Sequence, residues 1–333
     1  MPVRANAASD YPLAFRPRAP WWGGDLQTIR NRVWPFVSFP PSSSRRLHLP
    51  IGDASGDQLA ALLQEPTEAD TNAQGPLVVL IHGLAGSEDS VYMRASAAFH
   101  LGRGRRVLRL NLRGAGASRA SCGGHYHSGC GEEIASALKT LDDALLSPGL
   151  VLIGYSLGGN ILINLLAGSA GDLPVIAAAA VSPPIEPAQA ARRLMAPRNW
   201  LYHLWLLRAM KAESLADGAR LTADERTAIR RAGSVYEFDD CFIAPRNGYT
   251  GADDYYARTA GARVIGEVRT PLLIVHALDD PWIPNQPFLQ IAKGDHANIR
   301  TVLPQGGGHV GFHARDGTEP WHDRYINAFL QDI

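Results

Sequence analysis

Short runs of consecutive apolar residues recur along this chain, and segments with helical spacing of apolar residues separate them. Runs of strand length lie at residues 76–81, 106–112, 150–154, 175–182, 271–276 and 299–303. Such runs are typical of strands buried on both faces of a sheet. Helical patterns occur at residues 91–102, 132–146, 158–167, 286–293 and 321–330. The alternation predicts an α/β fold with a mostly parallel central sheet flanked by helices.

Two regions depart from this alternation. Residues 46–51 and 58–64 predict two strands around a turn rich in Gly and Asp, and such a hairpin is antiparallel. The stretch from 186 to 266 is helical and irregular, and it interrupts the alternation between two late strands. We therefore predict a core over residues 1–185 and 267–333, with an N-terminal extension at 1–44, and a helical cap inserted at 186–266.

The predicted cap carries an apolar stripe with helical spacing, formed by Trp200, Leu201, Leu204, Trp205 and Leu207. Such a stripe most often packs a cap onto its core, which is the interpretation we favour. The alternatives are that the stripe forms a wall of an acyl pocket or that it contacts lipid.

Composition and charge exclude several classes of function. Lys plus Arg and Asp plus Glu are both 32, so no strong field exists to recruit nucleic acid. Three cysteines are too few for a disulfide framework and favour the reducing cytoplasm. The first 18 residues lack the apolar core of a secretory signal, and no apolar run could span a bilayer. We expect a soluble cytoplasmic protein with no integral membrane segment and no nucleic-acid partner.

The sequence also predicts neither a metal nor a cofactor. Cys122 and Cys130 flank a loop that contains His125 and His127, which are residue types that bind zinc. Their spacing differs from that of the common zinc motifs, so we predict an ordinary loop. The chain has no G-x-G-x-x-G after its first strand and no P-loop lysine, and we therefore expect no nucleotide cofactor.

The strongest chemical signal is a G-x-S-x-G motif, GYSLG, at residues 154–158. It lies directly after a predicted buried strand and directly before a predicted helix, which is the context of a nucleophile elbow. A serine hydroxyl is a weak nucleophile at neutral pH, so it needs an exposed, strained position beside a base. The alternative is a Gly-rich turn with an incidental serine. We predict that Ser156 is the nucleophile.

Several short motifs accompany the elbow in a characteristic order. They are DLQT at residues 25–28, HGLAG at 82–86 with Ser87 and Tyr92 after it, NLRGAGAS at 111–118, GYSLGGN at 154–160, YY at 255–256 and DDP at 279–281. With these motifs the chain resembles the α/β-hydrolase superfamily and, more narrowly, its YheT-like (Emb8-type) esterase branch. The resemblance runs from about Phe15 to the C-terminus. It implies the α/β-hydrolase fold, a Ser–Asp–His catalytic triad, and carboxylic esters, some of them lipids, as substrates.

Two aspartates compete for the role of catalytic acid. Asp279 and Asp280 both follow the predicted strand at 271–276. The family pattern places the acid immediately before a proline, and this selects Asp280, which precedes Pro281. For Asp279 the alternative is a turn carboxylate at the strand end.

Eleven histidines compete for the role of base, and we predict His309. It follows the last strand and a Gly-rich loop, which can return an imidazole over the sheet edge to the serine. The order Ser, Asp, His along the chain is also that of α/β-hydrolases. His313 and His322 are rivals that we interpret as surface residues, and we interpret His276 as a core histidine within a strand.

The oxyanion hole should consist of two backbone N–H groups, those of Leu84 and Leu157. Leu157 follows the nucleophile, and Leu84 lies in the loop after the strand at 76–81. We expect His82 to brace that loop and Arg113 to fix neighbouring loops by charge-assisted hydrogen bonds.

These residues together predict a serine hydrolase that forms an acyl-enzyme on Ser156. A serine at the elbow disfavours dehalogenase and epoxide hydrolase chemistry, which uses aspartate there. The predicted function is a carboxylesterase for short- to medium-chain acyl esters, and its substrate is a small molecule that could be lipid-like. The alternatives are an acyltransferase with the same triad and a non-catalytic binding member of the fold.

Overall fold

The computed structural model describes residues 14–67, 75–294 and 296–333. Residues 1–13 of the predicted N-terminal extension lie outside the described residues. Eight strands form one sheet: β1 Ser42–Pro50, β2 Gln58–Pro66, β3 Leu77–Ile81, β4 Val107–Leu110, β5 Leu150–Tyr155, β6 Val175–Val181, β7 Leu272–Val275 and β8 Ile299–Val302. Their spatial order is β1-β2-β4-β3-β5-β6-β7-β8.

The pairing of the strands confirms the predicted fold class. β1 pairs antiparallel with β2, and β2 pairs antiparallel with β4. From β4 through β3, β5, β6 and β7 to β8, every neighbouring pair is parallel. The central strands β3 and β5 are buried along their whole length, as their uninterrupted apolar sequences require.

Helices cover the sheet on both faces. Those before β6 are α1 Gly23–Val33, α2 Val91–Leu101, α3 Gly131–Lys139, α4 Asp143–Leu146 and α5 Leu157–Asn164, with a 3₁₀ turn at Gly116–Ala120 and a π-helical turn at Leu165–Ser169. One apolar cluster includes side chains of α3 and α5. A second cluster, on the other face, includes side chains of α2. No helix of the described residues is long and apolar enough to cross a membrane.

The chain between β6 and β7 is helical and has an apolar cluster of its own. Its helices are α6 Pro187–Met195, α7 Trp200–Ser214, α8 Ala223–Arg231, α9 Val235–Phe238, α10 Ala244–Arg246, α11 Ala252–Thr259 and α12 Gly261–Val264, with 3₁₀ turns at Pro197–Asn199 and Ile265–Glu267 and a π-helical turn at Asp239–Ile243. The cluster contains Leu206, Phe238 and Phe242. These features support an inserted cap, and its limits at 186 and 266 stay a prediction. The last two helices are α13 Gln286–Lys293 and α14 Trp321–Gln331.

Two expectations about helices are wrong. The pattern at 132–146 forms two helices, α3 and α4. After α3, the Thr140 hydroxyl donates back to the carbonyl of Ala137 at 2.7 Å. Before α4, Asp142 takes a non-helical backbone conformation, which separates the two helices. The apolar stripe of α7 also does not pack onto the core throughout. Leu207 is buried, whereas Trp200, Leu201 and Trp205 are exposed.

Asn160 ties the helix after the nucleophile elbow to the cap. Its amide nitrogen donates to Ser128 Oγ at 2.7 Å and to the carbonyl of Thr259 at 2.8 Å. Its amide oxygen accepts from the N–H of Gly261 at 3.0 Å. The side chain is fully buried, so no water replaces these partners when the amide is removed.

We expect Asn160→Ala to lower the free energy of unfolding by about 2–4 kcal/mol, because the Ser128 hydroxyl and the Gly261 N–H lose this partner and the Thr259 carbonyl loses one of its two donors. Urea unfolding followed by circular dichroism measures this change. The control is Asn164→Ala, which removes a partly buried amide that shares the Thr259 carbonyl with Asn160 and should cost about 1 kcal/mol. Equal effects of the two substitutions would contradict the assignment.

Candidate active site

Ser156 lies in a sharp turn between β5 and α5, and its backbone has φ 50° and ψ −123°. A non-glycine residue pays conformational energy in this region, and such strain is concentrated at functional turns. The flanking glycines permit the turn. A Cβ atom on Gly158 would lie 2.4 Å from the carbonyl oxygen of His82, and one on Gly154 would lie 2.4 Å from that of Gly158.

The structure brings Ser156, His309 and Asp280 into one hydrogen-bonded chain. His309 Nε2 lies 2.9 Å from Ser156 Oγ, and His309 Nδ1 lies 2.8 Å from Asp280 Oδ2. Because Asp280 can only accept in its ionised form, Nδ1 carries the proton and Nε2 faces the serine as an acceptor. The three residues come from the ends of β5 and β7 and from the loop after β8.

The environment of Asp280 favours its ionised form. Its Oδ1 atom accepts from the N–H groups of Trp282 at 2.8 Å and of Ile283 at 3.0 Å. Burial opposes ionisation, but the His309 imidazole and these hydrogen bonds outweigh it, and the pKa of the carboxyl lies below its ordinary value. Asp279 does not contact His309 but accepts from the N–H of Gly308 at 2.9 Å.

The loop that carries His309 is held by α1, which sequence reasoning left without a role. The Thr28 hydroxyl accepts from the N–H of His309 at 2.8 Å and donates to the carbonyl of Gly24 at 2.6 Å. The Gln27 side chain accepts from the N–H of His313 at 2.7 Å. These contacts explain the last two residues of the DLQT motif. Only its similarity to a known pattern could have drawn attention to it, because the partners lie more than 280 residues apart.

Trp282 covers one face of the His309 ring. The two ring centroids lie 4.5 Å apart at an interplanar angle of 29°. Tyr202 and Trp205 of the cap helix α7 contact Trp282 in turn, with centroid distances of 5.4 and 6.4 Å. This aromatic contact connects the cap to the imidazole and fixes the plane of the ring.

The two backbone groups predicted for an oxyanion hole lie in the loop after β3, which carries Leu84, and at the start of α5, which begins with Leu157. Gly83 donates its N–H to Tyr92 Oη at 3.0 Å, and Ala85 donates its N–H to Tyr126 Oη at 2.7 Å. Among the described residues, the amides of Leu84 and Leu157 donate to no protein acceptor. The loop also touches the nucleophile, since a Cβ atom on Gly83 would lie 2.8 Å from Ser156 Cβ. The role of the Leu84 and Leu157 amides in catalysis stays a prediction.

A small cleft with an enclosed volume of about 30 Å³ adjoins this loop and lies between the core and the cap. Leu84 and Leu157 line it from the core, and Met210, Glu213 and Phe238 line it from the cap. Tyr126 also lines the cleft and donates its hydroxyl to Glu213 Oε2 at 2.8 Å. Burial raises the pKa of Glu213 to about 7, although Tyr126 and Arg119 act in the opposite direction.

The other histidines considered in the sequence analysis support a loop or lie buried in the core. His82 Nε2 accepts from the N–H of Leu112 at 3.0 Å and its Nδ1 donates to the carbonyl of Gly83 at 2.8 Å, so it braces the loop as expected. His276 is fully buried and stacks on Phe288, as expected for a core histidine. The expectation of a surface position is wrong for His322, which is buried because α14 turns it toward Tyr155.

The Cys–His loop is held by ordinary hydrogen bonds. His125 Nε2 donates to the carbonyl of Ser214 at 3.1 Å, and Cys122 Sγ donates to that of Gln58 at 3.0 Å. Within residues 14–67, 75–294 and 296–333, no group of three or more His, Cys, Asp or Glu side chains is arranged to hold a metal ion. Arg113 pairs with Asp57 and Glu133, both at 2.8 Å, and so fixes neighbouring loops as expected.

Comparison with known proteins identifies relatives of this chain. A family model described as alpha/beta hydrolase fold matches residues 76–316. YheT of Escherichia coli (strain K12) is 31% identical over 86% of this chain and 83% of its own length. The phospholipase ABHD3 of Mus musculus is 26% identical over 93% and 76%. The structure of the esterase Pf2001 of Pyrococcus furiosus superposes with a TM-score of 0.59 and 17% identity, over 97% of this chain and 98% of that one.

The raised pKa of Glu213 makes the free energy of unfolding depend on pH, and this dependence can be measured. Because its pKa rises from 4.5 to about 7 on folding, the folded state binds the proton more tightly than the unfolded chain. The stabilisation is complete below pH 4.5 and is lost as the pH rises through about 7. Glu213→Gln abolishes this titration, so the variant should gain roughly 2 kcal/mol on the wild type between about pH 5 and 8.

Urea unfolding at several pH values measures this difference. Glu132→Gln, at an exposed position on α3, is the control for the loss of a negative charge. A difference between Glu213→Gln and wild type that stays constant across the pH range would refute the assignment.

Proposed function

The chain belongs to the α/β-hydrolase fold family, within the branch that includes YheT, and on that premise we propose that it is a serine carboxylesterase. One observation carries the proposal, which is the hydrogen-bonded chain from Ser156 through His309 to Asp280. A buried, ionised carboxylate, a neutral imidazole with its acceptor nitrogen toward the serine, and a strained serine are what acyl transfer requires.

In the proposed mechanism, Ser156 Oγ attacks the carbonyl carbon of the ester while His309 Nε2 accepts the hydroxyl proton. The imidazolium that forms is stabilised by Asp280, which stays ionised throughout. His309 then returns the proton to the departing alcohol as the tetrahedral intermediate collapses to an acyl-enzyme. Water attacks this acyl-enzyme with His309 again as base, and the acid is released.

The backbone N–H groups of Leu84 and Leu157 are proposed to bind the oxyanion of both tetrahedral intermediates. Two observations support them: neither group has an acceptor among the residues that the structure describes, and the loop that carries Leu84 contacts Ser156. Fixed donors of this kind stabilise charge where it develops, and removing one such donor costs about 3 kcal/mol in other hydrolases.

The proposed substrates are esters with short to medium acyl chains. The space enclosed beside Leu84 and Leu157 is only about 30 Å³, which favours a limited acyl length. Its lining combines apolar side chains with Tyr126 and Glu213, so it also offers polar contacts. A relative is named a phospholipase, and a protein of similar fold is named an esterase. We place the reaction in the cytoplasm, which agrees with three free cysteines.

Hydrolysis of p-nitrophenyl esters from acetate to palmitate tests the proposal directly. We expect turnover by the wild type with an optimum at short to medium chains, and a fall of about 10³-fold or more in Ser156→Ala, because the nucleophile is lost. A fluorophosphonate probe should label the wild type and leave the variant unlabelled. Ester turnover that survives in Ser156→Ala would refute the mechanism. Labelling without turnover would favour an acyltransferase.

The two neighbouring aspartates provide a matched test of the acid. Asp280→Asn should lower kcat by about 10³- to 10⁴-fold, because an amide cannot hold the imidazole in the required tautomer or stabilise its charged form. Asp279→Asn keeps an amide oxygen that can accept from the Gly308 N–H, and should lower kcat by less than about tenfold. A larger loss in Asp279→Asn than in Asp280→Asn would overturn the assignment of the acid.

A further inference from the structure

The helix α1 turns an apolar stripe toward solvent. Trp22, Leu26 and Val33 are 60%, 39% and 61% exposed, and their spacing places them on one side of the helix. The opposite side of α1 carries Gln27, which is buried, and Thr28, which holds the His309 loop. An amphipathic helix normally has the reverse arrangement, with its apolar side against the core.

The cap helix α7 has the same unusual exposure. Trp200, Leu201 and Trp205 are 59%, 71% and 39% exposed, whereas Leu206 and Leu207 are buried. Single exposed apolar residues are ordinary, but a group of large ones on one face marks an interaction site.

The two exposed stripes lie next to each other because α1 and α7 are in contact. Asp25 accepts from Tyr202 Oη at 3.0 Å and pairs with Arg198 at 2.6 Å. The Arg32 guanidinium lies 5.0 Å from the centre of the Trp205 ring. We call the combined face the α1–α7 surface, and it consists of Trp22, Leu26, Val33, Trp200, Leu201 and Trp205.

The segments that carry this surface are strongly basic, although the whole chain has no net charge. Residues 14–36 and 192–211 contain nine Arg and Lys and a single acidic residue, Asp25. Arg32, Arg198 and Arg208 among them are exposed. A basic region around exposed tryptophans complements the headgroups of anionic lipids.

The α1–α7 surface is also continuous with the candidate active site. Trp205 contacts Trp282, and Trp282 stacks on His309. A substrate held in a lipid surface at α1 and α7 would therefore lie close to the imidazole side of the site.

We infer that the α1–α7 surface docks on the surface of anionic lipid aggregates, so that the enzyme takes acyl esters presented there. Tryptophan rings prefer the boundary between headgroups and acyl chains, and basic side chains beside them contact the headgroups. A second copy of the chain fits less well, since a symmetric contact would bring the two basic regions against each other. The hydrolytic part of the inference rests on the proposed function, and the docking part does not.

The test compares wild type with the double variant Trp22→Ser/Leu201→Ser, which removes one exposed residue from each helix. Sedimentation with vesicles of phosphatidylglycerol and phosphatidylcholine should show salt-sensitive binding by the wild type and binding about tenfold weaker by the variant. Hydrolysis of p-nitrophenyl palmitate dispersed in these vesicles should fall in parallel. Hydrolysis of soluble p-nitrophenyl butyrate should stay within about twofold, because the active site is unchanged.

Two further variants sharpen the comparison. Ile176→Ser replaces an exposed apolar residue at the start of β6, outside the α1–α7 surface. This control variant should bind vesicles as the wild type does. Arg208→Glu should weaken binding to anionic vesicles while leaving the apolar residues in place.

Vesicle binding that is absent in the wild type, or equal in wild type and double variant, would overturn the inference. So would a dimer in light scattering that the double variant dissociates without any vesicle binding. Failure of the proposed function is distinguishable, since it abolishes butyrate hydrolysis and leaves vesicle binding intact.

Discussion

The arrangement of the site depends on one steric constraint, the close approach of backbone segments around Ser156. The turn after β5 takes a strained conformation, and Gly154 and Gly158, two residues before and after the serine, must be glycines because carbonyl oxygens occupy the space of a side chain. This approach places the loop after β3 against the nucleophile, and the Leu84 and Leu157 amides find no acceptor within the described part of the chain. The rest of the core keeps this turn in place, with α5 tied to the cap through Asn160.

A second layer of contacts surrounds the histidine. Asp280 fixes the tautomer, Trp282 fixes the plane of the ring, and Thr28 fixes the backbone that carries it. Asp280 and Trp282 come from one loop after β7 and Thr28 from α1, and each acts on a different degree of freedom of the imidazole. The cap takes part indirectly, because Tyr202 and Trp205 contact Trp282 and because Glu213 accepts from Tyr126, which supports the loop of Leu84.

The sequence predicts most of the fold because buried parallel strands leave a strong local signal. The runs that became β3, β5 and β7 are continuous and apolar, and the elbow motif at residues 154–158 combines strand, turn and helix in a few residues. Long-range contacts leave no such signal. The support of His309 by Thr28 and the burial of His322 on α14 both depend on packing between distant segments. The exposed side of α7 was mispredicted for a similar reason, since periodicity shows a stripe and does not show what covers it.

The contact between Thr28 and His309 has a consequence for how the protein folds. It joins residues 281 positions apart, so the loop that carries the histidine is completed by the first helix of the described chain. Contacts of such long sequence separation form late, because closing a large loop costs conformational entropy before the contact can stabilise the chain. On a ribosome, Thr28 is made 281 residues ahead of its partner. The proposed acyl-transfer machinery is therefore assembled only after His309 has emerged, and chains that stop before it lack the machinery.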